Sequence, residues 1–221
     1  MIVLSVENLT YDYVTKAGIT HALQGVSAQF ALGTLYAMTG RSGSGKSTFL
    51  SLLAGLDVPL MGEILFEGNP LTAKNLASYR RDRVGVIFQA YNLIPHLTAM
   101  ENVLLSLEIA QCSKAERRNR ARAALADVGL DETLWKKYPR HLSGGEQQRV
   151  AIARAIAPDP HILLADEPTG NLDNENSRNI VRILKQLAHE RNKCVIVVTH
   201  SREIAEEADV EYRMSDGVLI G

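Results

Sequence analysis

Thr34-Leu35-Tyr36-Ala37-Met38-Thr39-Gly40-Arg41-Ser42-Gly43-Ser44-Gly45-Lys46-Ser47-Thr48-Phe49-Leu50 decides the fold. A short apolar run enters a glycine-rich loop and leaves it as a helix, with Leu50, Leu53 and Leu56 at helical spacing and Gly55 near its end. The loop satisfies G-x-x-x-x-G-K-[ST] through Gly40, Gly45, Lys46 and Ser47. Gly40, Gly43 and Gly45 let the backbone fold back and turn its N–H groups, with those of Ser42, Ser44 and Thr48, toward phosphate oxygens. The helix that follows aims its partial positive charge at the same anion. Lys46 reaches the outer phosphates as a point charge, and the Ser47 hydroxyl suits Mg²⁺. A Gly/Ser linker would carry this pattern by chance in roughly one chain in a hundred of this length. The flanking strand and helix make the phosphate reading the stronger one.

Outward from the loop, the chain reads as an α/β protein. Ile2 to Leu9 and Ala22 to Phe30 partly alternate, as strands on either side of a turn containing Gly18. Further strands are expected at Glu63 to Phe66 and Val84 to Phe88. The character then changes to helices at Met100 to Ala110, Lys114 to Val128 and Gly144 to Ala157, the last stopped by Pro158-Asp159-Pro160. The second carries a stripe of Ala121, Ala124, Leu125 and Val128. Two strongly apolar strands, His161 to Asp166 and Cys194 to Thr199, flank a helix from Glu175 to Glu190. Strands this apolar suit a parallel sheet covered on both faces. One domain of 221 residues is expected, its core in about 1–89 and 158–221 and a helical insertion in about 90–157.

Composition narrows the function classes. Hydrophobic residues at 46% supply a sizeable core, and 24 Lys+Arg against 25 Asp+Glu leave a net charge of -1. No global basic field draws the chain onto nucleic acid. Cys112 and Cys194 fit no metal spacing, and Cys194 reads as a buried inert thiol. Met1 to Glu7 does not read as a signal peptide, and no apolar run reaches the roughly 20 residues that cross a bilayer. Work at a membrane would need a partner.

Two more motifs carry chemistry. Ile162-Leu163-Leu164-Ala165-Asp166-Glu167 is an apolar strand ending in two acids, at the end of the sheet where ligands bind. Asp166 suits Mg²⁺, and Glu167 suits the orientation or deprotonation of an attacking water. Leu142-Ser143-Gly144-Gly145-Glu146-Gln147-Gln148-Arg149 opens a helix. Ser143 and Glu146 form an S-x-x-E capping box, which leaves two glycines in the first turn unexplained at about 1 kcal/mol each. Ser143, Gly144 and Gly145 therefore read as a second anion site, most economically one that closes on the phosphate held by a second copy of the chain.

Together and in this order, the phosphate loop, the Leu142 to Arg149 segment and the acidic strand end resemble the nucleotide-binding subunit of an ABC transporter. The resemblance spans essentially the whole chain. It implies a P-loop NTPase core with a parallel sheet, an N-terminal antiparallel β subdomain and an inserted α-helical subdomain. It also implies ATP and Mg²⁺ as ligands, and two ATPs held between two head-to-tail copies. An integral membrane permease would be the partner, on the cytoplasmic face of the membrane. By the same resemblance, Gln89 touches Mg²⁺ and senses the membrane partner, Asp173 of Asn171-Leu172-Asp173 communicates between sites, and His200 contacts the γ-phosphate. Tyr13 resembles the aromatic that stacks on adenine, with Tyr11 as the alternative. Phe88 to Pro95 and Asp166 to Asp173 are similar to the lipoprotein-release, macrolide-export and antimicrobial-peptide subgroup. Glu146 replaces the glutamine of many relatives, a common variation.

Tyr91 to Thr98 offers Leu93, Ile94, Pro95 and Leu97 as a groove for a short helix of the membrane subunit. The arginines at 117, 118, 120 and 122 read as a solvated face. Two rival classes share the same motor: an ABC-type ATPase of repair or translation, and one that regulates a membrane partner in signalling or cell division without transport.

Overall fold

The computed structural model describes residues 1–15 and 18–220. Strands β1 (Ile2–Thr15) and β2 (Gly18–Ala31) pair antiparallel, and the turn expected between them falls largely outside the described residues. Then follow β3 (Thr34–Thr39), α1 (Lys46–Leu53), β4 (Met61–Phe66), the short β5 (Asn69–Pro70), α2 (Leu76–Asp82) and β6 (Val84–Phe88). The helical stretch holds α3 (Ala99–Ile109), α4 (Lys114–Asp127) and α5 (Gly144–Ile156). The chain returns through β7 (Ile162–Asp166), α6 (Asn174–His189), β8 (Cys194–Val198) and α7 (Arg202–Glu207), and ends in a hairpin of β9 (Val210–Ser215) and β10 (Val218–Ile220).

These strands build two sheets. One is antiparallel, in the order β2-β1-β4-β5; the other runs β10-β9-β3-β8-β7-β6, with every pair parallel except β10–β9. The apolar runs of β7 and β8 divide by pleat. Ile162, Leu164, Cys194, Ile196 and Val198 join α1 and the antiparallel sheet in one core. Leu163, Ala165, Val195 and Val197 join α3 to α6 in the other. Burial raises the Cys194 thiol to about 12, so it is inert. Gly85 of β6 lets α5 approach closely, because a Cβ there would lie 2.6 Å from the Ala155 carbonyl oxygen.

Three expectations change. Leu56 does not extend α1: the helix ends at Leu53, Gly55 takes φ +65°, and Leu56 is 57% exposed. The face formed by the arginines of α4 is only half solvated. Arg117 donates to the Cys112 carbonyl and Arg120 to the Ala157 carbonyl, so their stems pack along the helical stretch. Leu93 packs its half-buried side chain against the helical core, while Ile94 and Leu97 are half-exposed and Pro95 is exposed on that loop. Among the described residues, no helix is long and apolar enough to cross a membrane.

Candidate active site

The carboxyl ends of β3, β7 and β8 open into one cleft of about 690 Å³, roofed by Tyr13, Thr20 and His21 of the antiparallel sheet. Gly45 is the N-cap of α1, with no side-chain cap and no acidic residue in the first turn. The N–H groups at that helix start are therefore left for a ligand. Gly45 takes φ +103°, and a Cβ there would lie 2.4 Å from the Ala22 carbonyl oxygen. Gly40, at φ +150°, would collide with the Met214 carbonyl oxygen at 2.2 Å. Neither position accepts a side chain.

Lys46 is 5% exposed, and its ammonium donates to the carbonyls of Gly40 at 2.8 Å and Arg41 at 2.9 Å. Burial lowers its pKa from the ordinary lysine value, while Glu167 and Asp166 pull the other way. A buried cation whose hydrogen bonds go to neutral carbonyls gains from an arriving anion. Asp166 lies 3.4 Å from the Ser47 hydroxyl; burial raises its pKa, against the pull of Ser47 and Lys46. Glu167 sits at φ 45°, a left-handed backbone that costs about 1–3 kcal/mol for a residue of this kind. Its carboxylate accepts from the His200 amide at 3.2 Å and stands 3.3 Å from the His200 ring. Gln89 lines the same cleft and packs on Gly170, where a Cβ would be 2.7 Å from Nε2.

Ser42, Gly43, Ser47 and Thr48 line the cleft with them, as does Tyr13. Tyr13 is 46% exposed, with its hydroxyl 3.2 Å from that of Thr48. Tyr11 is turned away: its hydroxyl bonds to Asp57, which pushes its pKa up to about 12. Tyr13 is thus the aromatic available to a planar ligand beside the loop. Ser44 is instead buried beneath the loop, its hydroxyl without a partner, and Gly40 opens into the adjoining cavity.

Ser143, Gly144, Gly145 and Asp173 do not line this cleft. Ser143 caps α5: its hydroxyl accepts from the Glu146 amide at 3.3 Å, and Glu146 accepts from the Ser143 amide at 2.6 Å. The two glycines also have a reason within the chain. A Cβ on Gly144 would lie 2.9 Å from the Tyr91 hydroxyl, and one on Gly145 2.1 Å from the Asn176 side chain. Asp173 caps α6 through two bonds of 2.8 Å from Asn176, which hold its carboxyl below the usual range. Sequence reading missed Thr20 and His21, whose place in the cleft depends on strand register, and Asn171, quoted only as part of the Asn171-Leu172-Asp173 loop, donates to the Gln89 carbonyl at 3.1 Å.

The chemistry of the donor set fits Mg²⁺ arriving with a nucleotide. Among the described residues, no group of three or more His, Cys, Asp or Glu could hold a metal alone. Ser47, Gln89 and Asp166 are hard oxygen donors on one cleft, and Mg²⁺ is commonly bound by few protein oxygens together with substrate phosphates.

Comparison with known proteins agrees in sequence and shape. The profile of the ABC transporter family matches residues 23–170. An uncharacterized ABC transporter ATP-binding protein, YclH of Bacillus subtilis, is 41% identical over 217 residues, covering 98% of this chain and 95% of its own. The lipoprotein-releasing system ATP-binding protein LolD of Syntrophus aciditrophicus is 40% identical over 220 residues, covering 98% of each. The dimeric structure of MJ0796, a bacterial ABC transporter cassette, superposes with a TM-score of 0.90 at 40% identity, covering 99% of this chain and 97% of its own. The post-hydrolysis dimer of that cassette, bound to ADP and Pi, matches equally well.

Proposed function

The chain belongs to the ABC transporter family, and from that premise we propose how its residues divide the work of an ATP-hydrolysing subunit that energises a separate membrane subunit. It binds and hydrolyses ATP, and two copies act together. One observation carries the reading of a shared site: Lys46, Ser47, Asp166, Glu167 and His200 converge on one cleft, while Ser143 to Gly145 stand outside it. A second copy, placed head to tail, brings its Ser143 to the phosphate that this copy holds.

In this reading the amides from Gly40 to Thr48 wrap the phosphates, and Lys46 leaves its carbonyl partners for the outer phosphate oxygens. Tyr13 stacks on adenine. Ser47, Gln89 and Asp166 would hold Mg²⁺, which supplies charge neutralisation at the outer phosphates. Glu167 aligns the water, His200 steadies Glu167 and faces the γ-phosphate, and the partner's Ser143 closes the far side. Asp173, as the cap of α6, lies at the boundary between the two sites. Residues 1–89 and 158–221 form the catalytic body, and 90–157 the part that carries Ser143. The membrane subunit seats at Ile94 and Leu97, holding the chain on the cytoplasmic face. The chain is of the lipoprotein-release, macrolide-export and antimicrobial-peptide subgroup, a reading supported for the lipoprotein-release member by the similarity to LolD.

The test is the dependence of turnover on chain concentration. Specific ATPase activity rises in proportion to concentration below the dimerisation range and then saturates; a flat profile from dilute to concentrated chain would remove the shared site. The adenine contact is tested separately. Tyr13→Ala weakens ATP binding about tenfold, since one base–aromatic stack is worth about 1–3 kcal/mol, whereas Tyr11→Ala, followed by calorimetry, changes it far less.

A further inference from the structure

The loop that follows Gln89 is held by side chains from three directions. Asn171 donates to the Gln89 carbonyl, and buried Asn102 donates to the carbonyls of Ile94, Leu97 and Thr98 while accepting from the Ile94 amide at 2.8 Å. Among the described residues, Arg154 is the side chain that holds the middle of the loop, beside the local backbone bonds from the Tyr91 amide to Phe88 and from the Asn92 amide to Ala90. Its guanidinium donates to the Tyr91 carbonyl at 2.8 Å and to the Asn92 carbonyl. Among the described residues no carboxylate pairs with it, and burial presses its pKa below the ordinary value. Tyr91 and Asn92 take φ 60° and 49°, two successive left-handed residues that turn their carbonyls toward the arginine. The Tyr91 hydroxyl then reaches the first turn of the same helix, beside Gly144. Arg154 stands ten residues further along α5, about 15 Å at the helical rise. The loop is thus bonded to α5 near the end of the helix and packs beside its first turn.

The geometry points to Arg154 as a positioning residue that makes the Gln89 loop and the helix opened by Ser143 one rigid unit; this rests on the reading that Ser143 closes on the partner's phosphate. Arg154 does not line the cleft. It acts by fixing where Ser143 stands relative to Gln89. A planar fork spanning two carbonyls does this, and the single ammonium of lysine does not reproduce it.

Arg154→Lys keeps the charge and most of the stem, and Arg154→Met keeps the stem alone. In the isolated chain without nucleotide, amide exchange at Tyr91 and Asn92 rises about tenfold in both variants. In a Glu167→Gln background, the ATP concentration giving half-maximal dimer rises about tenfold, because fewer molecules hold the closing geometry. ADP affinity stays within about twofold of the parent, and Arg154→Lys keeps the thermal midpoint. Unchanged exchange with unchanged dimerisation overturns the proposal, and so does ADP affinity that falls in step with dimerisation. If the Glu167→Gln parent itself stays monomeric in ATP, the shared-site reading falls, and the exchange measurement still decides whether Arg154 is the fastening.

Discussion

Glu167→Gln yields a chain that binds ATP, stays dimeric in its presence and turns over at least about a hundredfold more slowly, within the 10²–10⁴ range of a positioned general base. The amide keeps the size of the carboxylate and loses its capacity to draw a proton from water. The main chain at this position is held by the Glu167 amide donating to the Val198 carbonyl at 2.9 Å, so the strained φ of 45° does not depend on the side chain. The groups proposed to grip phosphate, Lys46 and the uncapped start of α1, are untouched. Binding therefore survives while chemistry stops, which separates kcat from KM. Light scattering in ATP gives twice the 24.3 kDa chain mass, whereas the parent reverts to monomer as ATP is consumed. A monomeric variant in ATP, or one with parental turnover, would sink the assignment of Glu167.

What the sequence made legible follows from how local each signal was. The β3–loop–α1 unit is contiguous, so its strand, its glycines and its lysine are visible in one window. The strands β7 and β8 declared themselves by continuous apolar runs, since every residue from Ile162 to Ala165 and from Cys194 to Val198 is buried. By contrast β9 alternates weakly and is mostly exposed, and α7 spans six residues, too few to show a helical period. Strand β1 runs on to Thr15 through several register shifts, which break the alternation that sequence reading depends on. At the site, the motif residues were legible and their resting contacts were not. Lys46 folds back onto its own loop, and the two glycines after Ser143 make room for Tyr91 and Asn176, residues from other elements. Arg154 is the extreme case: its partners lie 62 and 63 residues away, and on α5 it reads as an ordinary helix-end arginine.

Ser143→Arg abolishes hydrolysis and leaves nucleotide binding by the single chain within about twofold, because the substituted position is outside the cleft. Ser143 is exposed, so the arginine side chain extends into solvent without forcing the fold. Loss of the serine cap costs α5 about 0.5–2 kcal/mol, while the reciprocal bond from the residue-143 amide to Glu146 remains. In the dimer the same side chain lies against the partner's phosphate loop and keeps that site from closing. Removing a single charge-stabilising donor costs about 10²–10³ in rate, and blocking closure removes the whole of the partner's contribution. A mixing experiment separates this from simple damage. Lys46→Ala disables the phosphate loop and leaves Ser143 intact, so each variant alone is inactive. A head-to-tail pair of the two has one site with both parts sound and one with both defects. Half the dimers in an equal mixture are mixed, and each holds one sound site of two, so roughly a quarter of parental activity returns if the sites act independently. Hydrolysis by Ser143→Arg alone, or ADP affinity lost along with it, would show that Ser143 serves its own chain and not its neighbour.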